Sequence, residues 1–174
     1  MIVDDRACII GSANINDRSL LGNRDSEVAL YIEDTQFKNA LLNKKPTQVG
    51  LFTSSLRHRL FREFLGELNT SNEFIDPCSD EFYKQVLIKH ASQNTHIYDL
   101  VFKVIPCDYV SNFEQLREYQ KLACLNQTDT AKAREELKRV KGYVVLYPNR
   151  FLVHQDLTPP LGTKEKLLPT ILWT

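Results

Sequence analysis

Cysteine is sparse and widely spaced in this chain. Cys8, Cys78, Cys107 and Cys124 form no C-x-x-C pair. That excludes the commonest redox and zinc signatures and leads us to expect buried, reduced thiols in a cytosolic protein. Long apolar runs are missing too: none approaches the ~20 residues that cross a bilayer. The first fifteen residues contain acids and no long apolar core, so no secretory leader is expected there. Charge of one sign is not in excess, because Lys+Arg and Asp+Glu are both 22. Bulk electrostatics therefore favours neither nucleic acid nor an anionic membrane as a partner. There is no internal repeat and no low-complexity segment. What remains is ordinary for a soluble globular protein, 43% hydrophobic and 25% charged. The 174 residues suit one compact domain or a large part of one.

The pattern along the chain predicts an α/β fold. Residues 1–4 (MIVD), 7–13 (ACIIGSA) and 27–33 (EVALYIE) read as strands of one β unit, with Asp5-Arg6 in the turn between the first two. The third is largely apolar and is expected to be covered on both faces. Residues 17–26 read as a polar loop, and Lys44, Lys45 and Pro46 as a break. From about Thr53 the period becomes helical, with Leu56, Leu60, Phe61, Phe64, Leu65 and Leu68 on one face. Arg57, Arg59 and Arg62 lie off that face, and Gly66 is placed to end the helix. Further helices are expected over 79–91, 112–121 and 131–141. The last is capped by Thr130, laced by Lys132/Glu136 and Glu135/Arg139, and stopped by Gly142. Residues 97–105 fit either helix or strand. Residues 143–147 (YVVLY) read as a strand, and the tail, with Pro159, Pro160, Gly162 and Pro169, as irregular.

The chemistry concentrates at the start. Asp4 is followed by six residues, then Gly11-Ser12, then Asn14, which is D-x6-G-S-x-N. This matches the second part of the HKD motif, H-x-K-x4-D-x6-G-S-x-N. The sequence resembles the phospholipase D superfamily, and within it the eukaryotic phosphatidylcholine phospholipases D. The likeness is close from Ile9 to Glu27 (IIGSANINDRSLLGNRDSE) and returns in the tail (GTKEKLLPTILWT). The motif His and Lys would precede Met1, and none of His58, His90, His96 or His154 has a Lys two residues later. The resemblance therefore implies the C-terminal part of a second phospholipase D catalytic half. In it, 1–34 is a remnant of the HKD motif and core strands of a mixed sheet, and 35–174 is a helical C-terminal region.

The resemblance also implies roles. Enzymes of this family are understood to attack the phosphodiester with one motif His, to protonate the leaving group with the other, and to pass through a phosphohistidine. Ser12 and Asn14 would then donate hydrogen bonds to phosphate oxygens; the alternative is that they only close a β-turn. Asp4 would hold the site's geometry. Glu27 would accept a hydrogen bond from the catalytic His Nδ1, or is an exposed acid at a strand start. Arg18, Arg24 and Asp25 are better read as loop salt bridges. Arg57, His58, Arg59 and Arg62 would face anionic lipid or, more simply, solvent. Trp173 and Thr174 would belong to a tail docked near the active site, or to an apolar anchor that only packs. No metal and no intrinsic cofactor is implied, though phosphoinositide activation is compatible with the resemblance. The implied partners are a phospholipid at a membrane surface and the N-terminal half of the same enzyme, with no nucleic acid. The implied location is cytoplasmic and peripheral to a membrane. Without the His and Lys, the isolated segment is expected to be inactive; the competing reading is a truncated, non-catalytic form that binds or interferes.

Overall fold

A computed structural model describes residues 1–66, 76–159 and 161–167. The architecture is α/β, with a three-stranded and a two-stranded antiparallel sheet accompanied by helices. The chain divides into two compact units. The first comprises Met1–Lys38, Val49–Ser55 and Asp156–Thr174, and the second Asn39–Gln48 and Leu56–Gln155.

The first unit is built on strands β1 (Ile2–Val3), β2 (Ala7–Gly11) and β3 (Ala29–Glu33), paired in that order. Its opening turn lies one residue earlier than the sequence pattern suggests. Asp4 and Asp5 both adopt left-handed backbone, each at φ 51°, and the Arg6 amide closes the turn on the Val3 carbonyl at 2.9 Å. Mirror-image turns of this kind match the twist of a hairpin, and Asp tolerates the conformation better than most residues. Register pairs Cys8 with Ile32, Ile9 with Tyr31 and Ile10 with Leu30. Cys8 is buried, but Ile9 (41%), Ile10 (47%), Leu30 (65%) and Tyr31 (66%) stay exposed. The expectation that the third strand is covered on both faces is therefore not met among the described residues, which lay too little structure over either face.

Residues 17–26, expected to be loop throughout, begin with a short helix α1 (Asp17–Leu20). Asn16 caps it by accepting from the Ser19 amide at 3.0 Å. Beyond β3, Asp34 caps the start of helix α2 (Leu51–Leu65), accepting from the Phe52 and Thr53 amides at 3.0 and 2.8 Å. Gly50 lies against that carboxylate so tightly that a Cβ would stand 2.1 Å from Asp34 Oδ2.

The second unit holds most of a hairpin that the sequence reading took for a break. Strands β4 (Phe37–Leu42) and β5 (Lys45–Gly50) are joined by Asn43 and Lys44, both left-handed at φ 53° and 63°. Asp76 secures the turn by accepting from the Asn43 and Lys44 amides at 2.8 and 2.6 Å. As expected, Gly66 ends α2, at φ 71°. A π-helical segment (Phe82–Ile88) runs directly into helix α3 (Lys89–Phe102), which absorbs most of the ambiguous 97–105 stretch. Helices α4 (Phe113–Lys121), α5 (Leu125–Thr128) and α6 (Thr130–Leu137) follow. Ile97, Val101 and Ala133 form a buried core, with Leu125, Leu137 and Val140 packed against it.

Three expectations for this part change. Asp129, not Thr130, caps α6, accepting from the Lys132 amide at 2.9 Å. Its surface pairs are Lys138–Glu135 and Arg139–Glu136, at i,i+3 rather than i,i+4. Residues 143–147 join no ladder: buried Asn94 donates to the Lys141 and Val144 carbonyls at 2.7 and 2.9 Å, and Thr95 Oγ accepts from the Leu146 amide at 2.8 Å. Side chains of α3 thus take the backbone groups that a neighbouring strand would have taken. In the tail, a short helix α7 (Lys164–Leu167) interrupts the irregular stretch.

Candidate active site

The site grows from the end of β2 and the polar residues that follow. The Ser12 amide donates to the Val28 carbonyl at 3.0 Å, which fixes the chain just after the last β2 residue. At Gly11 a Cβ would fall 2.5 Å from the Val28 carbonyl oxygen and from Ala29 Cβ, so this close approach of the two chains requires glycine. Ser12 Oγ donates to Glu27 Oε2 and accepts from the Val28 amide at 3.1 Å. Ser19, in the last turn of α1, donates to Glu27 Oε1 at 2.5 Å and accepts from the Asn14 amide at 3.1 Å. The Asn14 side-chain amide returns to the Ser12 carbonyl at 3.4 Å. Ser12 and Ser19 thus close around one carboxylate, and Asn14 is tied to both serines.

The electrostatics follow from these bonds. Two hydroxyl donors, Ser12 first and Ser19 second, hold the Glu27 carboxyl below the ordinary carboxylate range. Desolvation and the nearby Asp25 charge work in the opposite direction. Asp25 is itself occupied: Arg18 grips it in a two-point ion pair at 2.9 and 3.1 Å, which lowers the Asp25 pKa. The reading of Arg18 and Asp25 as a loop salt bridge agrees with this geometry. An ionised carboxylate offers about four acceptor sites. With two taken by serines, Glu27 retains capacity for a further donor such as an imidazole N–H.

Ser12, Asn14 and Glu27 are therefore brought together. Asp4 is not: it sits in the turn at the start of β2, while Ser12 follows its other end, and a five-residue strand is about 16 Å long. Trp173 and Thr174 lie outside the described residues. Ser19 escaped the sequence reading because its stretch looked like loop. The available signal was Asn16, a helix-capping residue three positions earlier. The basic face of α2 is also narrower than expected. Arg57 is only 9% exposed and stacks over the Phe61 ring at 5.4 Å, so it is not a solvent-facing cation. A cleft of about 390 Å³ in the second unit, lined by Leu41, Lys44, Asp76 and Phe82 among others, includes none of the site residues.

A family model described as phospholipase D matches residues 1–111. The chain belongs to the phospholipase D family. It is 45% identical to phospholipase D1 of Homo sapiens, the alignment covering 100% of this chain and 16% of that protein. Against phospholipase D2 of Bos taurus the identity is 42%, covering 100% of this chain and 19% of the relative. Against phospholipase D zeta 1 of Arabidopsis thaliana it is 40%, covering 95% and 17%. The chain thus spans less than a fifth of the length of these phospholipases D. The D-x6-G-S-x-N stretch that carries the HKD resemblance lies inside the matched region. Among the described residues, no helix is long and apolar enough to cross a membrane.

Proposed function

We propose that Ser12, Asn14 and Glu27 form a supporting wall of a phospholipase D centre that converts phosphatidylcholine to phosphatidic acid and choline. In this reading an imidazole nitrogen attacks phosphorus and the bond to the choline oxygen breaks. A second imidazolium gives that oxygen its proton. Water then attacks the phosphohistidine, losing a proton to the second imidazole, and the P–N bond breaks to release phosphatidic acid. Both imidazoles and the motif Lys are supplied by polypeptide beyond these 174 residues.

Glu27 acts through the motif His: it accepts the Nδ1–H, fixes the tautomer and stabilises the imidazolium. Its being held between two hydroxyls is the observation that carries the reading, because a carboxylate with that job must be ionised and immobile. Asn14 supplies an amide to a phosphate oxygen. Ser12 can do so only by turning its hydroxyl away from Glu27, since its one proton is engaged there. Asp4 contributes by shaping the β1–β2 turn. The exposed residues of β2 and β3 suit cover by the N-terminal half of the same enzyme, with the phospholipid presented at a membrane surface and phosphoinositides as activators.

The test is a chimera in which this chain replaces the matching segment of human phospholipase D1, assayed on phosphatidylcholine vesicles beside the isolated chain. We expect choline release and phosphatidyl transfer to a primary alcohol by the chimera, and neither by the chain alone. A folded but inactive chimera, or full turnover by the isolated chain, would overturn the proposal.

A further inference from the structure

We infer that Ser19 is a positioning residue of the same centre, joining the Asn14 loop to the Glu27 carboxylate through a single hydroxyl. The inference rests on the function proposed for Glu27 and Asn14, and it adds a residue that the motif does not contain. One oxygen does two things: it accepts from the Asn14 amide at 3.1 Å and donates to Glu27 Oε1 at 2.5 Å. Its place is fixed independently, because the Ser19 amide is capped by Asn16 Oδ1 at 3.0 Å at the start of α1. Ser19 is half-buried, and its bond to Glu27 is partly shielded, whereas the bond from the Asn14 amide is exposed. Movement of Asn14 is thereby tied to movement of Glu27.

Among the described residues, the charged group that acts on Glu27 is Asp25, which is paired with Arg18, and the contribution of Arg24 reaches Asp25 rather than Glu27. Removing the Ser19 hydroxyl should therefore act on Glu27 in one direction. A donor to the charged form is lost, so the carboxylate becomes easier to protonate. The inflection that protonation of Glu27 adds to the acidic limb of the kcat/KM profile, below that of the imidazole, should move to higher pH.

The experiment uses the active chimera and compares Ser19→Ala, Ser19→Thr, Glu27→Gln and the double variant Ser19→Ala/Glu27→Gln. For Ser19→Ala we expect kcat to fall about tenfold to a hundredfold, the range for losing a hydrogen bond to a charged group. We also expect the acidic limb to shift upward. Ser19→Thr, which keeps the hydroxyl, should restore most of the rate and the original limb. In the Glu27→Gln background, Ser19→Ala should cost much less, as expected for coupled residues. If Glu27→Gln is crippled while Ser19→Ala leaves rate and limb unchanged, this inference fails and the role of Glu27 stands. It fails equally if Ser19→Ala slows the enzyme by the same factor in both backgrounds without moving the limb, which marks a purely structural residue. If Glu27→Gln works at the unsubstituted rate, the proposed function of Glu27 fails, and the inference about Ser19 fails with it.

Discussion

Ser12 and Asn14 occupy neighbouring positions in one motif but are committed differently. Ser12 gives its only hydroxyl proton to Glu27, whereas Asn14 spends one amide hydrogen on the Ser12 carbonyl and has a second to give. Substituting them in the chimera should separate the two roles. Ser12→Ala should lower kcat about tenfold to a hundredfold, the range for losing a hydrogen bond to a charged group. It frees one Glu27 oxygen at the same time, so the acidic limb of the pH profile should rise. Asn14→Ala should lower kcat without moving that limb. Profiles that move equally for both would contradict this division. The motif spacing made Ser12 and Asn14 legible in the sequence, and the family likeness that runs on to Glu27 pointed to that carboxylate. It left Ser19 invisible, because its role depends on the short helix that turns it back toward the strand end. It also grouped Asp4 with the others, although the hairpin carries Asp4 to the opposite end of β2.

The helices depend on side chains that replace missing backbone partners. Asp34 caps α2, and its bonds to Thr53 and Phe52 hold its carboxyl below the ordinary range. A carboxylate depressed in the folded state stabilises above its unfolded pKa and loses that contribution as pH falls through the folded value. The chain should therefore melt at higher temperature than Asp34→Asn at pH 7. The gap should close as the pH drops below about 4. A gap independent of pH would show that the charge of Asp34 is irrelevant. Asn94, only 1% exposed, serves three backbone groups of residues 141–144. Asn94→Ala should cost about 2–3 kcal/mol in a denaturant titration, since buried groups lose their partners; a change under about 0.5 kcal/mol would contradict this. These devices also explain what the sequence reading missed. The sequence located α2 and α4, but the helix expected over 79–91 covers only the π-helical segment and the first turn of α3, and the pattern at the end of α3 fits either helix or strand. YVVLY has the composition of a strand, yet Asn94 and Thr95 offer its backbone another set of partners. The β4–β5 turn was hidden because Asn43-Lys44 is a less familiar left-handed pair than Asn-Gly.

On the scale of the whole molecule, the sheet of the first unit is the exposed element. Ile10 and Leu30 share one face, Ile9 and Tyr31 the other, and all four remain accessible. An uncovered apolar sheet favours association. The purified chain should therefore show concentration-dependent self-association by sedimentation and a broad thermal transition; a clean monomer with a sharp two-state melt would contradict this. Its α/β class could be read from the change in hydrophobic period. Periodicity shows only which residues seek cover; it was the resemblance to part of a catalytic half that implied Ile9, Ile10, Val28 and Leu30 would lose some of theirs here. The central claim concerns Glu27, and one comparison tests it most directly: kcat and KM for phosphatidylcholine hydrolysis by the chimera with and without Glu27→Gln, each checked by a thermal melt. A carboxylate behind the motif His predicts a fall in kcat of roughly two to four decades with KM little changed, by analogy with the carboxylate of a hydrolase triad. A folded Glu27→Gln chimera turning over at the unsubstituted rate would contradict it and leave Glu27 an ordinary acid at the start of a strand.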